Sequence, residues 1–311
     1  MSKVIVILGP TSVGKTSLAI DLCKKFNGEI ISADSRQVFK YMDIGTGKAP
    51  LQSGFKVDRF DGYWKIDDIP IYMYDVVLPS KDFSVYDYAI KASNEFESVR
   101  RRGKNVFVVG GTGFYIDVLL GRQPISNVPP NPAFRKSLEE KSLDELGSLL
   151  REGDPKRYEA VDTNNRVRVI RALELLGGGA SGSKTVLGGN LPDPIFLGLA
   201  SQRSTLYSNV DVWVEKICEK GIIMETKALL DLGFRNVIPM KGIIYSSVVD
   251  FLDQKVGIDD MKRKIKFDLH GYIRRQLTWF GRNSSIRWFN VADKGFDTEL
   301  TQTVKLYLNG S

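Results

Sequence analysis

Short, unbroken apolar runs recur along the chain, and each ends on glycine or a small polar residue. The run VIVIL, within residues 3–8, leads into GPTSVGKTS and then LAIDLCKKF, whose apolar residues have helical spacing. GEIISAD (28–34) is a second run and ends on a carboxylate. VFVVGG (106–111) is a third, and TGFYIDVLLG after it again has helical spacing. DPIFLGLA (193–200) and IRWFNV (286–291) supply two more. Runs without polar alternation suit strands buried on both faces of a parallel sheet. Their alternation with helical segments predicts an α/β fold with a doubly wound parallel-sheet core.

The pattern changes at PISNVPPNP (124–132), whose prolines predict a linker. From about 133 to 176 the spacing is helical through FRKSLEEKSLDELGSLLRE, PKRYEAV and NRVRVIRALELL. GGGASGSKTVLGGN (177–190) is glycine-rich, the composition of a flexible segment. Residues 205–281 again have mostly helical spacing. Two domains are expected: a core from 1–124 and 191–311 with C-terminal helices, and a helical insertion over 125–190. No internal repeat is visible.

Composition narrows the class. The chain has 311 residues, 42% apolar and 26% charged, as an ordinary globular protein has. No apolar run approaches the length of about 18 needed for a membrane helix. VIVIL is too short for a signal peptide. Two distant cysteines, Cys23 and Cys218, fit a reducing compartment, so a cytoplasmic location is expected. One histidine, His270, excludes a His-rich metal site. A net charge of +7 suits a polyanionic partner without requiring one.

The chemistry starts at residues 9–16. Gly9, Gly14, Lys15 and Thr16 complete a G-x4-G-K-[ST] loop through Pro10, Thr11, Ser12 and Val13, the phosphate-cradling P-loop. Its backbone N–H groups and the following helix N-terminus would face phosphates, Lys15 would neutralise them, and Thr16 could hold Mg²⁺. NTPases also carry an apolar strand that ends in an acid for the metal. VFVVGGTG ends in glycines instead, although Asp75 in YMYDVV is an alternative acid. The balance leans toward a kinase or another phosphate-using transferase. Asp34 stands at a strand end, where α/β sheets face their ligands, and is a candidate general base. The plainer alternative is an N-cap for a following helix. Gln37 is a candidate for a base edge, or simply an exposed glutamine. Thr112, within GGTG, suits a site beside a transferred group or a tight turn. Eight Lys/Arg between 262 and 287, Arg275 among them, face one acid, Asp268, with aromatics interleaved. That composition fits either a nucleic-acid surface or a solvated helix face. Arg168 and Arg171, three apart with Arg166 nearby, present the same choice.

Together these segments resemble the tRNA dimethylallyltransferase (tRNA isopentenyltransferase) family. GPTSVGKTSLAIDL, GEIISADSRQVFKYMDIGTGK, VVGGTGFYIDVLLG, VRVIRALEL and RRQLTWFGR occur in the family's order and approximate spacing, over nearly the whole chain. The resemblance implies that the P-loop holds the diphosphate of dimethylallyl diphosphate, with Mg²⁺. The acceptor would be N6 of adenosine 37 in tRNAs that read codons beginning with U. It implies Asp34 as base and Thr112 near the reacting groups. Ser35, Arg36 and Gln37 match the segment that contacts the flipped nucleotide, and Arg135 and the stretch Val167, Arg168 to Arg171 match tRNA contacts. A monomer and an insertion that clasps the anticodon stem-loop are likewise implied. The chain departs from the family at Asn209 and Trp213, where arginines are expected. It also departs at Pro70-Ile71-Tyr72, at GIIYSS (242–247) and at Asn165. Arg203 and Arg235 are candidates to replace the missing charge. Two rival readings stay open: an adenylate isopentenyltransferase acting on free AMP, ADP or ATP, and a tRNA-binding relative without catalysis.

Overall fold

A computed structural model of the chain describes residues 2–51, 54–126, 128, 131–177 and 193–310. The glycine-rich stretch past residue 177 and linker residues 127, 129 and 130 lie outside the described residues. The chain divides into two compact units, one from 1–120 with 187–311 and the other from 121–186.

The first unit is built on one eight-stranded sheet. In chain order its strands are β1 (Val4–Leu8), β2 (Gly28–Ser32), β3 (Val57–Phe60), β4 (Tyr63–Ile66), β5 (Ile69–Tyr72), β6 (Asn105–Gly110), β7 (Ile195–Ala200) and β8 (Ile286–Asn290). Their spatial order is β3-β4-β5-β2-β6-β1-β7-β8. The five apolar runs of the sequence form the contiguous set β2-β6-β1-β7-β8, all parallel. Every residue of β1 and β2 is buried, so polar alternation would have placed polar groups in the core. Strands β3 to β5 extend the sheet as an antiparallel meander, which joins β2 through a parallel β5. The apolar runs do not foretell this meander. Its strands are four residues each and share no common pattern, VDRF holding two charges and IPIY a proline, with Trp64, Ile66 and Ile71 turned to the core.

Helices α1 (Lys15–Lys25), α2 (Val85–Arg101) and α3 (Gly113–Leu119) belong to the crossovers of this sheet. Helix α2 is a second element not anticipated above. Ser84 and Asp87 form a reciprocal capping box at its start, which satisfies two otherwise orphan N–H groups. The insertion unit contains α4 (Pro132–Ser137), α5 (Leu143–Gly153), α6 (Pro155–Ala160) and α7 (Arg166–Gly177). It has its own small core of Leu138, Leu146, Leu150, Val169, Ala172 and Leu173. After β7 come α8 (Arg203–Lys220), α9 (Ile222–Asp231), a 3₁₀ turn (Ile238–Lys241), α10 (Ile243–Leu252) and α11 (Ile258–Phe280). Helix α12 (Phe296–Asn309) follows β8.

Candidate active site

Strands β2, β6 and β1 lie side by side and parallel, so the loops after their C-terminal ends open on the same edge of the sheet. That edge is where open α/β sheets place ligands. Close approach of backbone demands the glycines there. A Cβ on Gly9, whose φ is +145°, would overlap the Leu199 carbonyl oxygen. One on Gly110 would overlap the Ala33 carbonyl. Gly14 caps α1 in the left-handed region, which glycine adopts without steric cost.

Helix α11 holds this edge together. The amide of buried Gln276 accepts from Thr11 N–H at 3.0 Å and donates to the Gly111 carbonyl at 2.9 Å. One side chain therefore ties the P-loop to the loop after β6. One turn on, Trp279 donates to Asp117 Oδ2 at 3.0 Å and packs against Gly113. The RQLTWF segment thus reads as a brace, and its first residue, Arg275, lines the cavity.

The DSRQ segment is a turn, not the start of a helix. Asp34 Oδ1 accepts from Arg36 N–H at 2.8 Å, so Asp34 caps its own turn rather than a helix. Thr112 Oγ1 accepts from Ser35 N–H at 3.1 Å and fixes the turn from the side of β6. Gln37 Oε1 accepts from Ser32 Oγ at 2.7 Å, and its Nε2 donates to the Thr46 carbonyl at 3.2 Å.

These elements enclose a cavity of about 530 Å³. Its lining includes Thr11, Ser12, Gly14, Lys15 and Thr16 of the P-loop. Asp34, Ser35, Arg36 and Gln37 share it, with Arg275 and Gln276 from α11. Gly9, Pro10 and Val13 shape the loop without lining the cavity, and Thr112 stands behind Ser35 rather than on the wall. Residues that sequence reading missed complete it: Gly45 to Gly47, Lys241, Tyr245 and Tyr272. Tyr272 sits on the RQLTWF helix one turn before Gln276, so helical spacing from that motif was the available signal.

Burial sets the electrostatics. It lowers Lys15 to about 8, against the opposing pull of Asp34. Burial raises the Asp34 carboxyl above its ordinary value, although the Arg36 N–H and the Lys15 charge oppose the shift. Burial also lifts the Tyr272 hydroxyl, beside Thr112, to about 12, so it stays protonated and can donate. Lys15 Nζ donates to the Pro10 carbonyl at 2.6 Å. Among the described residues no group of three or more His, Cys, Asp or Glu side chains is placed to hold a metal.

The expected replacements for the missing arginines are elsewhere. Arg235 forms a two-pronged pair with Asp253, both bonds at 3.0 Å, and neither Arg203 nor Arg235 lines the cavity. Trp213 does line it, with no charge, whereas Asn209 does not. The cations on the wall are Lys15, Arg36, Lys241 and Arg275. In the insertion unit, Arg135 and Arg171 both bond Glu174, at 2.7 to 3.0 Å. Arg168 pairs with Asp162 at 3.2 Å, and Val167 is exposed.

Fold and cavity together define a P-loop α/β protein in which a phosphate loop and a carboxylate face one small-molecule-sized space. Residues 37–283 match the family model described as IPP transferase, and residues 2–60 match that described as isopentenyl transferase. The chain belongs to the tRNA dimethylallyltransferase, or tRNA isopentenyltransferase, family. It is 33% identical over 316 aligned residues to the tRNA dimethylallyltransferase of Bacillus anthracis, covering 99% of this chain and 96% of that one. The crystal structure of the full-length tRNA isopentenylpyrophosphate transferase of Bacillus halodurans superposes with a TM-score of 0.72 at 30% identity, over 100% of this chain and 98% of that one. A eukaryotic dimethylallyltransferase captured acting on tRNA gives a TM-score of 0.79 at 26% identity, over 100% of this chain and 80% of that one.

Proposed function

We propose that this enzyme transfers the dimethylallyl group of dimethylallyl diphosphate to N6 of adenosine 37 in tRNAs reading codons that begin with U. The products are N6-(dimethylallyl)adenosine and diphosphate. The observation that carries the reading is the sharing of one cavity by the P-loop and Asp34. The diphosphate lies against the loop N–H groups and Lys15. The N6 lone pair attacks C1, the C1–O bond breaks with its electrons on the diphosphate, and the N6 proton passes to Asp34. A carboxylate raised by burial is a better base than an exposed one. Lys15 stabilises the charge that develops on the leaving oxygen. The Thr16 hydroxyl, on the cavity wall without a carboxylate cluster, fits Mg²⁺ that keeps mostly phosphate and water ligands. Bound there, Mg²⁺ would add positive charge beside the leaving group.

With Trp213 uncharged, Lys241 on the cavity wall is the further cation we assign to the leaving diphosphate, and Arg36 and Arg275 go to the tRNA. The base must leave its stack to reach Asp34. Both polar atoms of Gln37 keep bonding capacity beyond their tethers, of the kind glutamine uses on the adenine N6/N7 edge. On the insertion unit, Arg135, Val167, Arg168 and Arg171 are assigned to the anticodon stem-loop.

Single-turnover transfer from labelled dimethylallyl diphosphate to an A36-A37-A38 stem-loop tests the reading. Wild type should transfer, and Asp34→Ala should bind the stem-loop and fail to transfer. Lys241→Ala should raise the donor KM, whereas Arg203→Ala and Arg235→Ala should not. Transfer to free AMP in preference to the stem-loop, or tight stem-loop binding by wild type with no transfer, would overturn it.

A further inference from the structure

We propose that Glu225 is a positioning residue for the acceptor base, acting through the 42–48 loop on Gln37; the inference rests on the prenyl-transfer reading above. Glu225 lies on α9, roughly 180 residues from the loop it holds. Its Oε2 accepts from the N–H groups of Asp43 at 3.0 Å and Ile44 at 2.7 Å. Its Oε1 accepts from Gly45 N–H at 3.1 Å and from the Tyr245 hydroxyl at 2.7 Å. Three successive N–H groups that converge on one point form an anion-binding concavity. Here the protein fills that concavity with its own carboxylate. Gly45 is required for the fit, because a Cβ there would press on the Tyr245 ring.

The consequence reaches the cavity within two residues. Gly45, Thr46 and Gly47 line its wall, and the Thr46 carbonyl takes the Nε2–H of Gln37. A carbonyl only accepts, so this bond fixes which end of the Gln37 amide is nitrogen. Ser32 Oγ, donating to Oε1, locks the other end. What remains for a base is one N–H and one lone pair, in a single orientation. The far end of the loop is pinned separately. Buried Lys48 reaches Asp43, Asp75 and the Phe39 carbonyl. Without Glu225 the loop would stay attached through Lys48, while three N–H groups lost their acceptor and turned to find others. The Thr46 carbonyl would move, and Gln37 with it.

The test uses the full chain with Glu225→Ala, Glu225→Gln, Tyr245→Phe, Gln37→Ala and the Gln37→Ala/Glu225→Ala double variant. Glu225→Ala should slow transfer to the stem-loop on the order of 100-fold, as a misplacement of about 1 Å does. Affinity for inorganic pyrophosphate, the donor-side probe, should change by less than about twofold. Glu225→Gln keeps one acceptor oxygen but sets an NH2 group against at least one of the three N–H donors, so it should recover only part of the rate, and Tyr245→Phe, which removes one donor, should lose little. In the double variant the two losses should not add, because both act through one amide. The preference for binding an A37 over an inosine-37 stem-loop should fall in Glu225→Ala. That readout holds even if wild type fails to transfer, the result that would sink the prenyl-transfer reading instead. The inference is overturned if Glu225→Ala keeps both rate and preference. It is also overturned if pyrophosphate affinity falls in parallel, or if the Gln37 and Glu225 losses add.

Discussion

At the scale of single residues, the site depends on two groups that burial pushes toward each other. Lys15 is lowered to about 8 and Asp34 is raised, so each is closer to neutrality than in water. The roles proposed for them require the charged forms: a cation under the diphosphate and a carboxylate that takes the N6 proton. The pH dependence follows with opposite signs. Transfer at limiting donor should rise as pH climbs through the raised Asp34 value and fall as it climbs through about 8, where Lys15 loses its proton. Bound diphosphate stabilises the ammonium, so the alkaline limb of kcat at saturating donor should lie higher than that of kcat/KM. A pH–rate series at both donor levels checks this, and coincident alkaline limbs would rule out Lys15 as their source. Trp213 is the residue-scale change with the plainest effect on this balance, since it brings an indole to the wall where the family resemblance expects an arginine.

Among the elements, α11 does the most to assemble the site, and its basic run mostly serves the protein itself. Lys262 and Lys266 both reach Glu215 on α8, at 2.6 Å each. Arg263 pairs with Asp260, Lys264 with Asp268, and Arg287 beyond the helix with Glu299. The one acid within the segment understated its partners, since Glu215 and Glu299 come from other elements and Asp260 from the preceding turn of α11. The face that matters is narrow: Tyr272, Arg275 and Gln276 on the cavity, and Trp279 against α3. Gln276→Ala removes both bonds between the P-loop and the loop after β6. It should weaken pyrophosphate binding about tenfold and destabilise the chain by about 2 kcal/mol. Isothermal titration and urea denaturation measure the two, and unchanged pyrophosphate affinity would show that Gln276 does not hold the P-loop in its binding form.

For the molecule as a whole, the two units rest on different physics. The sheet unit has a large apolar core, whereas the insertion unit has six buried apolar residues in its own. It adds instead an ion-pair network in which buried Glu174 holds two partly exposed arginines. Burial alone would raise Glu174, but hydrogen bonds from Arg135, the Asn131 N–H and Arg171 bring it down to about 2. A carboxyl depressed on folding contributes stability above its unfolded value, here 4.5, and loses it as pH falls toward about 2. The insertion should therefore lose stability across that window. Glu174→Ala should cost about 1–2 kcal/mol near neutrality, because the Asn131 N–H loses its acceptor while Arg135 and Arg171, both partly exposed, stay solvated. Chemical denaturation followed by a probe in the insertion reports both, and a variant as stable as wild type at neutral pH would count against the network.

The local sequence determined whatever depends on neighbours along the chain. The buried strands announced themselves because a strand covered on both faces tolerates no polar alternation. The P-loop announced itself because close backbone approach at Gly9 and the left-handed turn at Gly14 admit little but glycine. The meander β3 to β5 was not legible, since strands of four residues are too short to show a period, and VDRF carries two charges while IPIY carries a proline. Tertiary structure alone decided which distant groups meet. Gln276 lies 265 residues from Thr11, and Glu225 lies 182 residues from Asp43. Neither side chain differs locally from an ordinary helix-surface residue. Whether Asp34 capped a helix or its own turn was decided the same way, by Thr112 holding Ser35 from the neighbouring strand. Hydrophobic period is a property of one segment, whereas a cavity is made by convergence, and a bond between two segments leaves no period in either.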